Sequence, residues 1–295
     1  MIGFLNLIKP GGITSHDLVN RVRRITGLKQ VGHAGTLDPL ATGVMVVGLS
    51  KACRLLQFLP DDKCYLAEIL LGTRTDTDDI EGAVLEKVDL PELNSADLEG
   101  RLQKFVGKQI QVPPIYSAIK QGGMKMYELA RKGQAPREIK GREIEIFRIE
   151  FISYEAPLVK VRIDCSKGTY IRSIARDLGN QLSVGGCLHS LVRERSGKFL
   201  IEKAYSLEEL EEKGHEHCLV SPQEALSLES IAVDRPLAKR IANGQKIAFS
   251  DFAPETVPDE PRLFISCEDK PVALMKRLDS PHLGPEVVLS NANQF

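Results

Sequence analysis

No stretch of the 295-residue sequence approaches the roughly 18 uninterrupted apolar residues of a membrane-spanning helix. The first ten residues, Met1 to Pro10, lack a basic segment followed by a long apolar core. That argues against a signal peptide and for a cytoplasmic protein without a membrane partner. The six cysteines (Cys53, Cys64, Cys165, Cys187, Cys218 and Cys267) include no Cys-x-x-Cys pair and are expected to be buried thiols. His215-Glu216-His217-Cys218 has no second ligand cluster near it in sequence, so no metal site is expected there. Thr75-Asp-Thr-Asp-Asp79 lacks the glycine and terminal glutamate of a calcium loop, and Lys9-Pro-Gly-Gly12 lacks the ending of a phosphate loop. Internal repeats and low-complexity tracts are absent too.

An excess of charge of either sign is also missing. The net charge is −1, which argues against a generic polyanion binder. The distribution says more than the sum. From Lys104 to Arg148 ten basic residues face four acidic ones, a local +6. From Glu202 to Asp234 nine acids face two lysines, a local −7. Alone, such a pattern reads as solvated charged faces; beside a nucleic-acid site it reads as a phosphate-facing surface.

What is present is a sequence of ordinary globular composition, 42% hydrophobic and 27% charged, long enough for two domains. Residues 4–8 read as a short strand. Thr14 or Ser15 can cap a helix from His16 to Thr26 that carries Leu18, Val19, Val22 and Ile25 on one face. Gly43 to Gly48 is a buried strand, and Ser50 caps a helix carrying Leu55, Leu56 and Phe58. Further strands are expected at 65–71, 142–154 and 159–165, and helices at 91–106, 127–132, 170–182 and 206–226. Strands and helices alternate without a βαβ rhythm, so the fold class is α+β with a mixed, largely antiparallel sheet. After residue 227 the chain changes character. A short helix at 233–244 is followed, after a loop punctuated by Pro254, Pro258 and Pro261, by strand-like runs at 262–267 and 271–278 separated by Glu268-Asp269-Lys270. This predicts residues 1–227 as one domain and residues 228–295 as a small β-rich second one.

One loop stands out. Val31-Gly-His33-Ala-Gly-Thr-Leu-Asp38-Pro-Leu-Ala-Thr-Gly43 sets three glycines and a proline around a single acid, just before a buried strand. Such a loop displays one side chain from a rigid scaffold with its backbone open to a ligand. By itself Asp38 reads as a turn-capping acid and His33 as a turn or core histidine.

The loop resembles the Gly-Thr-Leu-Asp-Pro motif of the TruB family of tRNA pseudouridine synthases. Further motifs follow in the family's order. They are Lys9-Pro-Gly-Gly-Ile-Thr-Ser15, Lys63-Cys-Tyr65 leading into Leu71-Gly-Thr-Arg-Thr-Asp-Thr-Asp78, Gln111-Val-Pro-Pro-Ile-Tyr-Ser-Ala-Ile-Lys120 and Tyr127-Glu-Leu-Ala-Arg131. Then come Cys165-Ser-Lys-Gly-Thr-Tyr-Ile-Arg172, Asp177-Leu-Gly179 and Gly185-Gly-Cys-Leu-His-Ser-Leu-Val-Arg193. The resemblance spans residues 3 to about 199. It departs at Cys187, where the family often has histidine, and at Glu194, near which a second arginine is common. Residues 228–295 resemble a PUA-like RNA-binding domain more distantly.

The resemblance implies an isomerase that converts uridine-55 of the tRNA T-loop to pseudouridine after flipping the base. It implies no cofactor, no metal and no guide RNA, and the chain is expected to act as a monomer. Asp38 would be the catalytic carboxylate, attacking C6 or C1′ of the nucleotide or abstracting a sugar proton. Arg172 would pair with Asp38 and hold it ionised. Tyr65 would stack on the uracil and serve as the base for the late proton removal. Tyr170 would line the pocket and Leu191 pack against the base. His33 would contact the displaced nucleotide, with Lys9 and Lys63 as further substrate contacts. The basic insertion at about 113–142 would clamp the RNA stem.

Overall fold

The computed structural model describes every residue except 118–119, 122–123, 127–138, 253–258 and 279–280. Its strands begin with β1 (Gly3–Lys9), β2 (Val31–Ala34), β3 (Thr42–Leu49), β4 (Lys63–Leu71), β5 (Thr73–Thr75), β6 (Val84–Lys87), β7 (Gly107–Gln111), β8 (Lys120–Gln121) and β9 (Met124–Lys125). They continue with β10 (Arg142–Glu155), β11 (Leu158–Cys165), β12 (Gly186–Ser196), β13 (Phe199–Leu200), β14 (Leu219–Val220), β15 (Ser230–Ala232), β16 (Ile247–Ala248), β17 (Arg262–Cys267), β18 (Lys270–Arg277) and β19 (His282–Val288). The helices are α1 (Ser15–Thr26), α2 (Ser95–Gln103), α3 (Ile171–Gln181), α4 (Leu207–Lys213), α5 (Pro222–Leu226) and α6 (Arg235–Ala242).

A ten-stranded sheet runs β14-β1-β3-β12-β4-β11-β10-β7, with β2 on β3 and β13 on β12. Its pairings are antiparallel apart from the short parallel contact of β12 with β3 at Val192–Thr42 and Arg193–Gly43. This is the α+β, largely antiparallel sheet the sequence predicts.

Pleating explains the apolar run in β3. Met45, Val47 and Leu49 face a core shared with α1 and α3. Val44 and Val46 face a second core on the other side. A strand covered on both faces needs apolar residues at every position. The second core also takes in Phe4, Leu55, Phe199, Ala225 and Leu226. Against them lie Phe264, Leu274, Val287 and Leu289 of a five-stranded sheet ordered β15-β17-β18-β19-β16. Arg262 of that sheet pairs with Glu286 at 2.7 Å and lies over the Phe58 ring. The C-terminal sheet is therefore fixed to the back of the large one by shared apolar burial.

Local chemistry sets the element ends. The Thr14 side chain accepts from the Asp17 amide at 3.1 Å while Asp17 accepts from the Thr14 amide at 2.9 Å, a reciprocal cap for α1. Gly27, at φ +68°, ends that helix. The helix expected at 206–226 is instead two short ones. Gly214 leaves α4 at φ +78°, β14 intervenes, and Pro222 opens α5 behind the Ser221 cap. The helix expected at 91–106 starts only at Ser95, where the Asn94 side chain caps it. Ser50–Phe58 winds as a 3-10 helix. The expected helix at 127–132 lies outside the described residues. Among the described residues no helix is long and apolar enough to cross a membrane.

Candidate active site

The loop between β2 and β3 is braced by the N-terminal segment. Ser15 donates to the Leu37 carbonyl at 3.0 Å and accepts from the Leu37 amide at 2.9 Å. The Gly12 amide donates to the Pro39 carbonyl at 2.9 Å. Leu37 is itself buried in the main core. The residues on both sides of Asp38 are thus fixed by residues 12–15, while the Asp38 side chain stays 33% exposed. A fixed backbone with a partly open carboxylate is what chemistry on a bound ligand requires.

Arg172, buried in the first turn of α3, organises the acid. Its Nη2 donates to Asp38 Oδ1 at 3.2 Å, and its Nε lies 2.9 Å from Oδ2. Its Nη1 lies 3.4 Å from Asp79 Oδ2 and donates to the Thr77 carbonyl at 3.0 Å. Its Nη2 also donates to the Tyr116 carbonyl at 2.9 Å, at the root of the basic insertion. Burial pushes the Asp38 carboxyl above the usual carboxylate range; the Arg172 charge opposes this and Asp79 adds to it. Pairing with arginine alone had predicted a carboxyl held firmly ionised. The structure adds desolvation and a second acid, and these outweigh the guanidinium.

Tyr65 and Tyr170 lie close enough for the Asp38 charge to act on both phenols. Burial raises both hydroxyls, against the lowering effect of Arg193 on Tyr65 and of Ser117 on Tyr170. The Gln111 side chain holds the Tyr170 backbone from both sides, accepting from its amide at 2.8 Å and donating to its carbonyl at 3.1 Å. Leu191 is buried in the same core as Tyr65. His33 sits on β2 with Nδ1 buried and unpartnered among the described residues. Burial, aided by Arg193, favours its neutral form.

Two expected substrate contacts are placed differently. Lys9 is fully buried, and its ammonium donates to the carbonyls of Pro10 and Ile13 at 2.7 Å and of Pro39 at 3.2 Å. An ammonium has three protons, so Lys9 ties the loop together and has none to spare for RNA. Lys63 is also buried and donates to the Asp61 carbonyl at 2.7 Å. Burial lowers both lysines to about 8. Lys9 brings its charge near Asp38 from beneath the loop, and Lys63 turns to the Asp61 carbonyl instead of reaching outward. Sequence reasoning missed the bracing by Ser15, the Gln111 clamp and the second acid Asp79. The one available signal was their presence in motifs already quoted. Of the insertion, Pro113–Ser117 and the ends of its strands are described; Tyr127–Arg131, Lys132 and Arg137 lie outside the described residues.

Comparison with known proteins agrees with this geometry. The family model described as TruB family pseudouridylate synthase (N terminal domain) matches residues 23–171. The chain is 46% identical over 253 residues to the tRNA pseudouridine synthase B of Gloeothece citriformis, covering 84% of this chain and 82% of that one. It is 40% identical over 250 residues to that of Clostridium tetani, covering 84% and 86%. Among solved structures it superposes on a chain of a Cbf5-Nop10-Gar1 complex with a TM-score of 0.73 at 25% identity, covering 99% of this chain and 86% of that chain. A family model that matches residues 23–171 and relatives 40–46% identical over 84% of the chain show that it belongs to the TruB family of pseudouridylate synthases.

Proposed function

We propose that this chain converts uridine-55 in the T-loop of tRNA to pseudouridine, acting as a cytoplasmic monomer without guide RNA or cofactor. The observation that carries the reading is the pairing of Asp38 with Arg172 beside two phenols. The curated relatives are named tRNA pseudouridine synthase B, which supports tRNA as the substrate.

The reaction is an isomerisation. The C1′–N1 bond breaks, the uracil turns, C1′ bonds to C5, the C5 proton leaves and N1 gains one. Asp38 supplies the carboxylate, as nucleophile or as base. Arg172 aims it. Tyr65 stacks on the uracil and takes the C5 proton. Tyr170 and Leu191 hold the base, and His33 contacts the displaced nucleotide. Extruding the base from the loop costs roughly a few kcal/mol, offset by stacking and phosphate contacts. Residues 113–142 supply basic contacts to the stem, which favours self-guided recognition of the RNA. Residues 1–227 form the catalytic domain and residues 228–295 a PUA-like RNA-binding domain.

The test uses unmodified tRNA transcript carrying tritium at C5 of uridine. The reading expects tritium release and a carbodiimide-dependent primer-extension stop at position 55 alone. No release, or modification elsewhere, overturns it.

A further inference from the structure

Arg193 is the largest fully buried side chain of the described residues. Its Nε donates to the Val44 carbonyl at 2.7 Å, and its Nη2 to the Gly35 carbonyl at 3.1 Å and toward Met45 Sδ at 3.7 Å. These acceptors are two carbonyls and a thioether, with no carboxylate to neutralise the charge. Its neighbours deepen the imbalance, because Lys9, Lys63 and His33 all feel its positive charge. A buried cation held this way is costly, and such costs concentrate at functional sites.

The fold makes room for it. Arg193 of β12 pairs with Gly43 of β3 on one side and with Tyr65 of β4 on the other. A Cβ on Gly43 would stand 2.3 Å from the Arg193 carbonyl oxygen, and Gly43 has φ +101°. A Cβ on Gly35, at φ +80°, would meet Lys63 Cε at 3.3 Å and Arg193 Nη1 at 3.4 Å. Gly43 therefore lets β3 approach the Arg193 backbone, and Gly35 lets the loop close over its guanidinium. Arg193 is the cross-strand neighbour of Tyr65, and its charge reaches the phenol.

We infer that Arg193 is the positioning residue that ties the Tyr65 strand to the Asp38 loop and fixes the phenol in place. One side chain holds Gly35, three residues before Asp38, and rises from the strand position paired with Tyr65, where its charge acts on the phenol. The charged and titratable groups that act on that hydroxyl are Arg193 from β12, Cys165 from β11 and Asp38 from the loop. Of these only Arg193 favours the phenolate. The inference rests on the proposed role of Tyr65 as the base.

The experiment compares the wild-type chain with Arg193→Met and Arg193→Lys, using full-length protein and tritiated tRNA transcript. Single-turnover rate and tRNA affinity are followed from neutral to alkaline pH. Losing the charge raises the phenol pKa, so Arg193→Met should lose at least about tenfold in rate near neutrality. The deficit should shrink as pH rises, with affinity within about twofold of wild type. Arg193→Lys should recover part of the rate and shift the alkaline limb back. A loss equal at every pH overturns the inference, since that is what a merely structural role gives.

Tyrosine difference titration, wild type minus Tyr65→Phe, reads the phenol directly, and the same subtraction is made in each Arg193 background. Ionisation of Tyr65 at higher pH in the Arg193 variants supports the inference, and an unmoved titration overturns it. A moved titration with an unmoved rate profile supports the placement of Arg193 and rejects Tyr65 as the base. Where Arg193→Met does not fold, Arg193→Lys decides: a displaced Tyr65 titration supports the inference, and a titration and rate both equal to wild type overturn it.

Discussion

Asp38 and Arg172, 134 residues apart in sequence, meet through two contacts, Nη2 to Oδ1 at 3.2 Å and Nε to Oδ2 at 2.9 Å. The carboxylate is thereby held in one orientation on a loop that is itself fixed. Asp38→Asn keeps the shape and removes the charge. It should lower pseudouridine formation by at least about 10³-fold while tRNA affinity stays within about twofold. Tritium release and filter binding measure the two quantities separately.

The pH dependence follows from the same pair. In the proposed reaction Asp38 acts as the carboxylate, and burial places its pKa above the usual range. Activity should therefore fall as pH drops through that raised pKa. Arg172 opposes the shift, so Arg172→Met should move the acid limb to still higher pH, besides lowering the maximum rate. Arg172→Lys should restore part of the limb position but less of the rate, because one ammonium cannot reproduce the two-point contact. A limb that stays in place in Arg172→Met would reject the electrostatic account.

Tyr65→Phe separates stacking from proton transfer. The ring remains, so affinity should hold, while the rate falls by about 10²- to 10⁴-fold. Tyr65→Ala should in addition weaken binding by about 1–3 kcal/mol, the worth of one stacked base.

Lys9→Met leaves the carbonyls of Pro10, Ile13 and Pro39 without their shared donor. The expected loss of stability is on the order of 3 kcal/mol, read from the denaturant midpoint. Activity should fall with the loosened loop, whereas the salt dependence of tRNA binding should not change. A reduced salt slope would return Lys9 to the role of phosphate contact.

Gly43→Ala forces a methyl against the backbone of Arg193 at a positive φ. The expected destabilisation is about 3 kcal/mol or more. The same change at Gly12, where φ is +78° but nothing lies within 4 Å, should cost only about 1 kcal/mol, the strain of the left-handed backbone.

Much of this protein was legible in its residues. The Thr14 cap, the apolar run of β3 and the α+β class follow from local pattern, and the ordered motifs around Asp38, Tyr65 and Arg172 from the family resemblance. Local pattern carries those signals because caps, pleats and turns are made by residues a few positions apart. The helix expected at 206–226 failed on the same scale, because its acidic composition concealed the stops at Gly214 and Pro222.

What only the tertiary structure decided are the partners. Lysines in a motif read as substrate contacts, yet burial turned Lys9 and Lys63 inward. Asp79 read as part of a rejected cation loop, yet it shares Arg172 with Asp38. Arg193 was simply the last residue of a motif, until the sheet set it between Gly43 and Tyr65 and within reach of Gly35, 158 residues away. Charge and desolvation depend on distance in space, so a sequence can name the acid of this site but not the pKa at which it works. The family-like motif singled out Asp38 in the chain; the desolvation, the second acid and the buried cations around it exist only once the sheet has closed.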